Sequence, residues 1–187
     1  DIDIIRRTKE TISHEAFYSA ADALVNAKRV YIIGAGSSLA LATFLSHYLS
    51  LVFDAVQLIN ATSDAQILQQ LVHIGAGDAL IGISFPRYSK KAAKALRYAS
   101  DRGASVIAIT DSTLSPLASC AQQVLLAKSD MVSFVDSLVG PLALINALIV
   151  TVAIKKKEEV AKTLCDLENI WDEYGVYEKV ENKSDDE

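Results

Sequence analysis

The sequence predicts an α/β protein in which a doubly wound, five-stranded parallel sheet is flanked by helices. Three observations lead to this prediction. Five short apolar runs alternate with helical patterns, and the links between them are short. Hydrophobic residues make up 51% of the chain, whereas aromatic residues make up only 7%. That balance is typical of aliphatic strands covered by helices on both faces, so we expect a flavodoxin-like three-layer sandwich.

The predicted strands are short apolar segments that end in glycine or a polar residue. The first of them ends at Gly34 and Gly36. A loop with a short helical turn, residues 111–121, precedes the last strand. In chain order the segments are RVYIIGAG with its closing turn, AVQLIN, ALIGIS, ASVIAIT and QQVLLA.

Helical periodicity precedes, separates and follows these strands. The first pattern is amphipathic, with Phe17 and Leu24 on one face. Ser37 or Ser38 stands where the N-cap of the next helix is expected, and Gly103 ends the helix after the third strand. The predicted helices span residues 8–27, 37–53, 62–74, 89–102, 137–154 and 155–175.

No repeat or low-complexity linker interrupts the chain, which indicates one domain with added termini. Residues 1–28 are expected to hold an N-terminal helix that packs on the domain, residues 29–155 the core, and residues 156–187 a C-terminal helix and a polar tail. The chain begins without Met and without the apolar run of a signal peptide, so we expect a piece of a longer protein. Two cysteines without a CxxC motif favour reduced thiols in a cytoplasmic protein.

The net charge of −5 argues against nucleic-acid binding by this chain itself, because such domains usually carry a basic patch. Residues 137–154 contain no charged side chain and are long enough for a marginal membrane span. Gly140, Pro141, Asn146 and Thr151 interrupt this run, which follows five predicted strands. We therefore expect a helix buried against the sheet or in a subunit interface, and no membrane association.

Ligands of doubly wound sheets bind at the carboxyl ends of the strands. Three loops with polar residues are predicted there: Gly34–Ser38, Ser84–Ser89 and Thr110–Pro116. The glycines of the first loop permit close backbone approach, and the helix N-terminus that follows can bind an anion. A tight turn with an N-cap serine explains the same residues equally well.

The first loop is neither a dinucleotide fingerprint nor a Walker A loop. Leu39 stands where the third glycine of GxGxxG should be, and Asn60 stands where the second strand should end in an acid. No Gly-Lys-Ser/Thr follows the glycines. The sequence therefore predicts no cofactor, and it predicts no metal site.

The loop SFPRYS repeats the arrangement after the third strand. Ser84 ends that strand and Ser89 would cap the next helix, so two hydroxyls can converge on one anion. Arg87 can add a bidentate, charge-assisted contact, and Pro86 stiffens the loop. Tyr88 could pack over a ligand or against a neighbouring subunit. Two serine-bearing helix N-termini at adjacent strands favour a phosphate site.

Longer motifs resemble the SIS (sugar isomerase) domain, and more closely that of RpiR/MurR-type transcriptional regulators. The resemblance runs from about residue 11 to 154 and is carried by RVYIIGAGSS, GDALIGISFPRYSKKAAKALRYASDRGASVIAITDSTLSPLASCAQQVLLA and SFVDSLVGPLALINALIV. It implies a phosphosugar held by Ser38, Ser84 and Ser89. SIS enzymes commonly have a second loop serine and then glycine where this chain has Pro86 and Arg87. In this chain Arg87 could replace the missing serine as a phosphate contact.

A phosphosugar isomerase needs a base to move a proton between adjacent carbons, usually glutamate or histidine. Glutamate is absent from residues 16–157, since all nine glutamates lie towards the chain ends. His47 and His73 are expected to lie away from the strand ends. Asp64 is expected to cap a helix. Asp111 is expected to form a turn, and it could touch the ligand. No catalytic residue is predicted in this chain, although a partner subunit could supply a glutamate.

Ser133 and Asp136 precede the apolar helix and could reach the sugar, but a loop and an N-cap are the simpler interpretation. Two functions remain open: a non-catalytic sensor of a sugar phosphate, which we favour, and a phosphosugar isomerase. The predicted ligand-binding residues are Gly36, Ser37, Ser38, Ser84, Arg87, Ser89, Asp111 and Ser133.

A sensor of this type implies partners outside the chain. The resemblance implies that DNA is contacted only through a helix-turn-helix domain preceding Asp1. The apolar helix 137–154 and a second apolar stripe exceed what one small domain needs to bury, which predicts a homodimer or tetramer. The stripe consists of Val160, Leu164, Leu167 and Trp171.

Overall fold

A five-stranded parallel sheet forms the centre of the protein in the computed structural model, which describes residues 1–61, 63–132 and 135–178. The strands lie in the order β2-β1-β3-β4-β5, so the chain winds outwards in both directions from β1. The predicted doubly wound α/β fold is confirmed. The strands are β1 Val30–Gly34, β2 Val56–Ile59, β3 Ala79–Ile83, β4 Ser105–Thr110 and β5 Gln123–Leu126.

Helices cover both faces of this sheet. They are α1 Ile2–Thr11, α2 His14–Val25, α3 Ser38–Leu49, α4 Asp64–Gln70, α5 Lys90–Asp101, α6 Val139–Lys155 and α7 Lys157–Tyr174. On one face α2, α3 and α6 pack around Leu24, Leu45 and Leu148. On the other face α4 and α5 pack around Ile67 and Leu96. The sheet is thus the middle layer of three, as the composition predicted.

The prediction of one helix over residues 8–27 is wrong. The backbone is extended at Ile12, and Ser13 starts a new helix by accepting a hydrogen bond from the Ala16 N–H at 3.2 Å. The first helix, α1, packs against α6 through Ile4 and Thr8, both of which are buried. This break matters because it gives the N-terminal helix an orientation independent of α2.

Two further helices end earlier than predicted, and a hairpin was missed. After Leu49 the chain tightens into a turn in which the Leu51 N–H bonds to the Tyr48 carbonyl at 3.2 Å, so α3 stops short of residue 53. Helix α4 ends at Gln70. An antiparallel hairpin, β6 Met131–Val132 and β7 Val135–Asp136, precedes α6 where the sequence suggested only a loop.

The apolar run predicted as a buried helix is α6, and it buries one face. Leu148 and Val152 are buried, whereas Val150 and Ile154 are exposed. No single described helix is both long and apolar enough to cross a membrane; α6 and α7 reach that length and composition only as a pair, which is bent by 98°. Helix α7 carries the predicted second stripe but buries none of its residues within the chain.

Gly34 lets helix α3 come close to the end of β1. An added Cβ there would lie 2.4 Å from the backbone oxygen of Ser38 and 3.0 Å from the Cβ of Ala42. Since a backbone atom cannot rotate away, a side chain at this position would force α3 off the strand. Gly34 also pairs with Ile83 of β3, so the loops that follow these two strands start side by side.

We expect Gly34→Ala to lower the free energy of unfolding by about 1–3 kcal/mol, because overpacking against backbone forces a local shift. Gly75→Ala is the matched control, since an added Cβ there would meet only the Arg102 carbonyl oxygen, at 3.7 Å. The control should change stability by about 1 kcal/mol or less. Urea unfolding followed by circular dichroism measures both variants, and equal stabilities would contradict the close approach.

Candidate functional site

A cavity of about 390 Å³ opens at the carboxyl ends of β1 and β3, where the strand order reverses. This volume lies within the ~300–1,000 Å³ that is usual for small-molecule sites. The structure brings together six of the eight predicted ligand-binding residues at this cavity. Its lining comprises Ala35, Gly36, Ser37, Ser38, Ser84, Phe85, Pro86, Arg87, Ser89 and Asp136.

The loop after β1 contributes hydrogen-bond donors from its backbone. Gly36 has a φ of 60°, a left-handed conformation that glycine adopts without strain. In the part of the chain that the structure describes, no group accepts the backbone N–H of Gly36 or Ser37. Ser38 is only 3% exposed yet lines the cavity. Donors without partners at the start of a helix suit an anion.

The loop after β3 contributes two hydroxyls that a hydrogen-bond chain holds in place. Ser84 Oγ accepts a bond from the Ser89 N–H at 3.0 Å. Ser89 Oγ in turn accepts from the Ala92 N–H at 3.2 Å, which confirms that Ser89 caps α5. Each hydroxyl acts here as an acceptor and therefore keeps its own hydrogen to donate to a ligand.

Arg87 lies at the exposed side of the same loop. Its φ of 67° is the only positive value at a non-glycine residue in the described ranges. A left-handed conformation at such a residue costs about 1–3 kcal/mol and tends to occur at functional sites. The Arg87 side chain is 74% exposed, and among the described residues nothing accepts the N–H of Arg87 or of Phe85. The loop therefore offers a guanidinium and two further amides.

Asp136 is a cavity residue that was not among the eight. Its Oδ2 accepts a hydrogen bond from Ser37 Oγ at 3.0 Å and lies 3.8 Å from Arg87 Nη2. Leu138, not Asp136, occupies the N-cap position of α6, so the simpler interpretation of Asp136 is wrong. Ser37, in turn, starts α3 without a side-chain capping bond, and its hydroxyl donates to Asp136. The hairpin thus brings one carboxylate into the cavity.

The other two predicted ligand-binding residues are not in this cavity. Asp111 accepts a hydrogen bond from Tyr88 Oη at 2.8 Å and lines an adjacent cavity of about 270 Å³. That cavity shares Pro86 and Asp136 with the first. Burial, followed by the bond to Asp111, raises the pKa of Tyr88 to about 12. Ser133 lies outside the described residues.

The remaining candidates for acid–base chemistry lie away from the cavity. Neither a histidine nor a glutamate of the described ranges lines it, and both His47 and His73 are exposed on helix or turn segments. Asp64 does not cap α4, because Ser63 does; the Lys94 ammonium instead lowers the pKa of Asp64 through a hydrogen bond. Among the described residues, no group of three or more His, Cys, Asp and Glu side chains could hold a metal ion.

Residues 23–151 match the SIS domain family model. The chain is also 29% identical over 166 residues to an uncharacterised HTH-type transcriptional regulator of Caldanaerobacter subterraneus, an alignment that covers 86% of this chain. This chain spans 57% of that regulator and 41% of a second HTH-type regulator, from Clostridium perfringens. It therefore corresponds to about half the length of these relatives.

Solved structures extend the likeness. The sugar isomerase domain of an RpiR transcription factor from Sphaerobacter thermophilus matches with a TM-score of 0.85 and 30% identity, over 90% of this chain and 93% of that one. Vibrio vulnificus NanR complexed with ManNAc-6P matches with a TM-score of 0.79 and 18% identity, over 91% of this chain and 65% of that one. Phosphosugar isomerases match as well, at 20% identity or less, which indicates a shared fold alone.

We expect Asp111→Asn to move the pKa of Tyr88 down from about 12 towards its ordinary value. The pKa should stay above about 10, because burial contributes more than the carboxylate does. Absorbance titration of the phenolate measures the shift, and subtraction of the Tyr88→Phe titration isolates Tyr88 from the other six of seven tyrosines. An unchanged pKa would contradict the hydrogen bond.

The same shift has a consequence for stability. Tyr88 holds its proton more tightly in the folded chain than in the unfolded chain, whose pKa is about 10. The unfolded state therefore loses this proton first, and the stability that Tyr88 contributes is present below pH 10 and is lost between about pH 10 and 12. Alkaline unfolding of Asp111→Asn should show a smaller loss over that interval.

Proposed function

The chain belongs to the SIS domain family, and from that premise we propose that it is the sugar-phosphate-binding effector domain of an RpiR-type transcriptional regulator, which senses its ligand without turning it over. One observation carries the proposal. At the cavity between β1 and β3, amides without a partner among the described residues converge with serine hydroxyls beside a guanidinium, and no described histidine or glutamate lines the cavity. That set of groups binds a phosphate and offers no usual base for isomerisation.

In this proposal the phosphate lies between the two helix N-termini. The backbone N–H groups of Gly36 and Ser37 and the hydroxyls of Ser37 and Ser38 approach it from one side, and Ser84 and Ser89 from the other. Arg87 supplies positive charge at the rim, where a strained backbone holds it. The sugar then extends towards the adjacent cavity that Asp111 and Lys128 line.

The proposal requires partners outside the chain. The charge of −5 and the HTH-type relatives, of which this chain spans about half, support a separate DNA-binding domain. Such a regulator works in the cytoplasm, where Cys120 and Cys165 stay reduced. We propose that two copies associate through α6 and α7, which expose Val150, Ile154, Leu164 and Ile170.

The effector role predicts a matched pair of outcomes. Ser89→Ala should weaken sugar-phosphate binding about 10-fold, because a hydrogen bond to a charged group is lost. It should also lower stability by about 1 kcal/mol, because the α5 cap is lost. Ser63→Ala removes the equivalent cap of α4, outside the cavity, and should lower stability alone. Titration calorimetry with hexose, pentose and amino-sugar phosphates, ManNAc-6P included, measures the affinities.

Two results would count against this role. If no sugar phosphate in the panel binds, the cavity is not an effector site. If one is turned over instead, the protein is a phosphosugar isomerase. One observation favours that second candidate: the Asp136 carboxylate lies in the cavity and could act as a base. Turnover of an aldose or ketose phosphate that is lost in Asp136→Asn would establish it.

Self-association predicts a second variant effect. Leu164→Glu introduces a charge on the apolar side of α7 and should shift the protein towards monomer, because a buried unpaired charge opposes association. Lys162→Glu changes the charge of an exposed position of the same helix and should leave the mass unchanged. Light scattering at micromolar concentration measures both, and a monomeric parent protein would contradict the proposal.

A further inference from the structure

Asp136 contributes a carboxylate to the lining of the cavity. The Asp136 side chain is only 19% exposed. Its Oδ2 accepts a hydrogen bond from Ser37 Oγ at 3.0 Å and lies 3.8 Å from Arg87 Nη2. These are two of the donors that a phosphate at this site would use. A carboxylate and a phosphate are both anions and accept hydrogen bonds from the same groups. Ser37 has one hydroxyl hydrogen, so the carboxylate and a phosphate cannot both accept it, and two anions this close to each other repel.

We propose that Asp136 is an internal anion that competes with the ligand phosphate for Ser37 and Arg87, so that ligand binding displaces the Asp136 carboxylate. This inference rests on the proposed function, because it concerns the same phosphate site. It assigns Asp136 neither a catalytic role nor a contact with the sugar hydroxyls. In the empty site the Asp136 carboxylate bonds to Ser37, and in the occupied site the ligand phosphate takes its place.

The position of Asp136 is tied to the rest of the hairpin. Asp136 is paired with Met131 across the two strands. At the base of the hairpin, Ser129 Oγ donates to the Ser137 carbonyl at 3.0 Å, and the Ser137 N–H donates to the Asp130 carbonyl at 3.3 Å. Both bonds run to Ser137, the residue after Asp136, so a displacement of Asp136 that moves its backbone strains the hairpin base.

The hairpin base is in turn tied to α1. Arg7 Nη1 donates to Asp130 Oδ2 at 2.5 Å, and the Lys128 N–H donates to Thr8 Oγ1 at 3.0 Å. Thr8 is buried against α6, where an added Cβ at Gly140 would lie 2.6 Å from Thr8 Oγ1. A displacement that moves the Asp136 backbone therefore works against the contacts that hold α1. By linkage, contacts that hold α1 must also weaken phosphate binding.

Replacing the charge tests the competition. Asp136→Asn keeps an oxygen that accepts from Ser37 but removes the negative charge, so inorganic phosphate should bind about 10-fold tighter. Asp64→Asn removes the same charge from a carboxylate outside the cavity, paired with Lys94, and should change phosphate affinity less than about 2-fold. Titration calorimetry with inorganic phosphate and with one sugar phosphate that the parent protein binds gives both affinities.

Two outcomes would overturn the competition. Unchanged or weaker phosphate binding by Asp136→Asn means that phosphate and carboxylate do not meet. Weaker binding of the sugar phosphate with unchanged binding of inorganic phosphate means that Asp136 contacts the sugar. If neither protein binds any phosphate, the proposed function fails together with this inference; if the parent binds and Asp136→Asn does not differ from it, this inference alone fails.

A double-mutant cycle tests the connection to α1. Arg7→Gln should raise phosphate affinity about 3-fold in the parent, because it removes the bond that holds the hairpin base. Loss of a positive charge alone would lower the affinity, so the sign of the change is diagnostic. Arg6→Gln, an exposed neighbour on the same helix, is the matched control and should not raise it. In the Asp136→Asn background, Arg7→Gln should have no such effect.

The cycle also separates displacement from simple repulsion. If the Asp136 carboxylate repels the ligand without moving, Arg7→Gln has the same effect in both backgrounds, and the displacement is refuted. Hydrogen exchange gives an independent readout. Phosphate should speed the exchange of amides in α1 of the parent but not of Asp136→Asn, and equal exchange with and without phosphate in the parent would refute a displacement that reaches α1.

Discussion

The carboxyl ends of β1 and β3 lie side by side, and every feature of the cavity depends on this adjacency. It arises because the chain winds outwards from β1 in two directions, which leaves the loops after β1 and β3 facing each other. Gly34 then lets α3 begin close against the strand end. Two helix N-termini and their loops thereby converge from residues that are about 50 positions apart in the chain. Neither loop alone would distinguish a ligand site from an ordinary turn.

The parts of the site that are local in sequence could be predicted, because their signals are local. Ser89 stands three residues before Ala92, whose N–H it accepts, and this spacing is that of an N-cap. The glycines after β1 and the apolar runs of the strands are similarly short-range patterns. Their convergence followed from the alternation of strands and helices, since parallel strands direct their carboxyl ends to one edge.

The parts that could not be predicted depend on long-range contacts. Asp136 meets Ser37 across 99 positions of sequence, through a hairpin of two-residue strands too short to leave a periodic pattern. Asp111 follows β4 directly. Its carboxylate nevertheless accepts a hydrogen bond from Tyr88, because the tyrosine ring reaches across from the neighbouring loop. The break before Ser13 was hidden because Ile12 continues the apolar spacing of the helix on either side.

In this proposal an internal anion lowers the affinity of the cavity for every ligand that carries a phosphate. A phosphate that must first displace Asp136 binds less tightly. Its intrinsic affinity is multiplied by the fraction of unliganded molecules in which the carboxylate has already left. Contacts to the phosphate alone are then partly offset, so a ligand gains net affinity mainly through what else it touches, such as groups of the adjacent cavity near Asp111 and Lys128. Inorganic phosphate makes no such contacts, so the same loss leaves it a weak ligand, whereas a sugar phosphate can compensate through its sugar. If the proposed competition holds, the Asp136 carboxylate thus raises the affinity that the sugar contacts must supply, and it connects ligand binding to the contacts of α1.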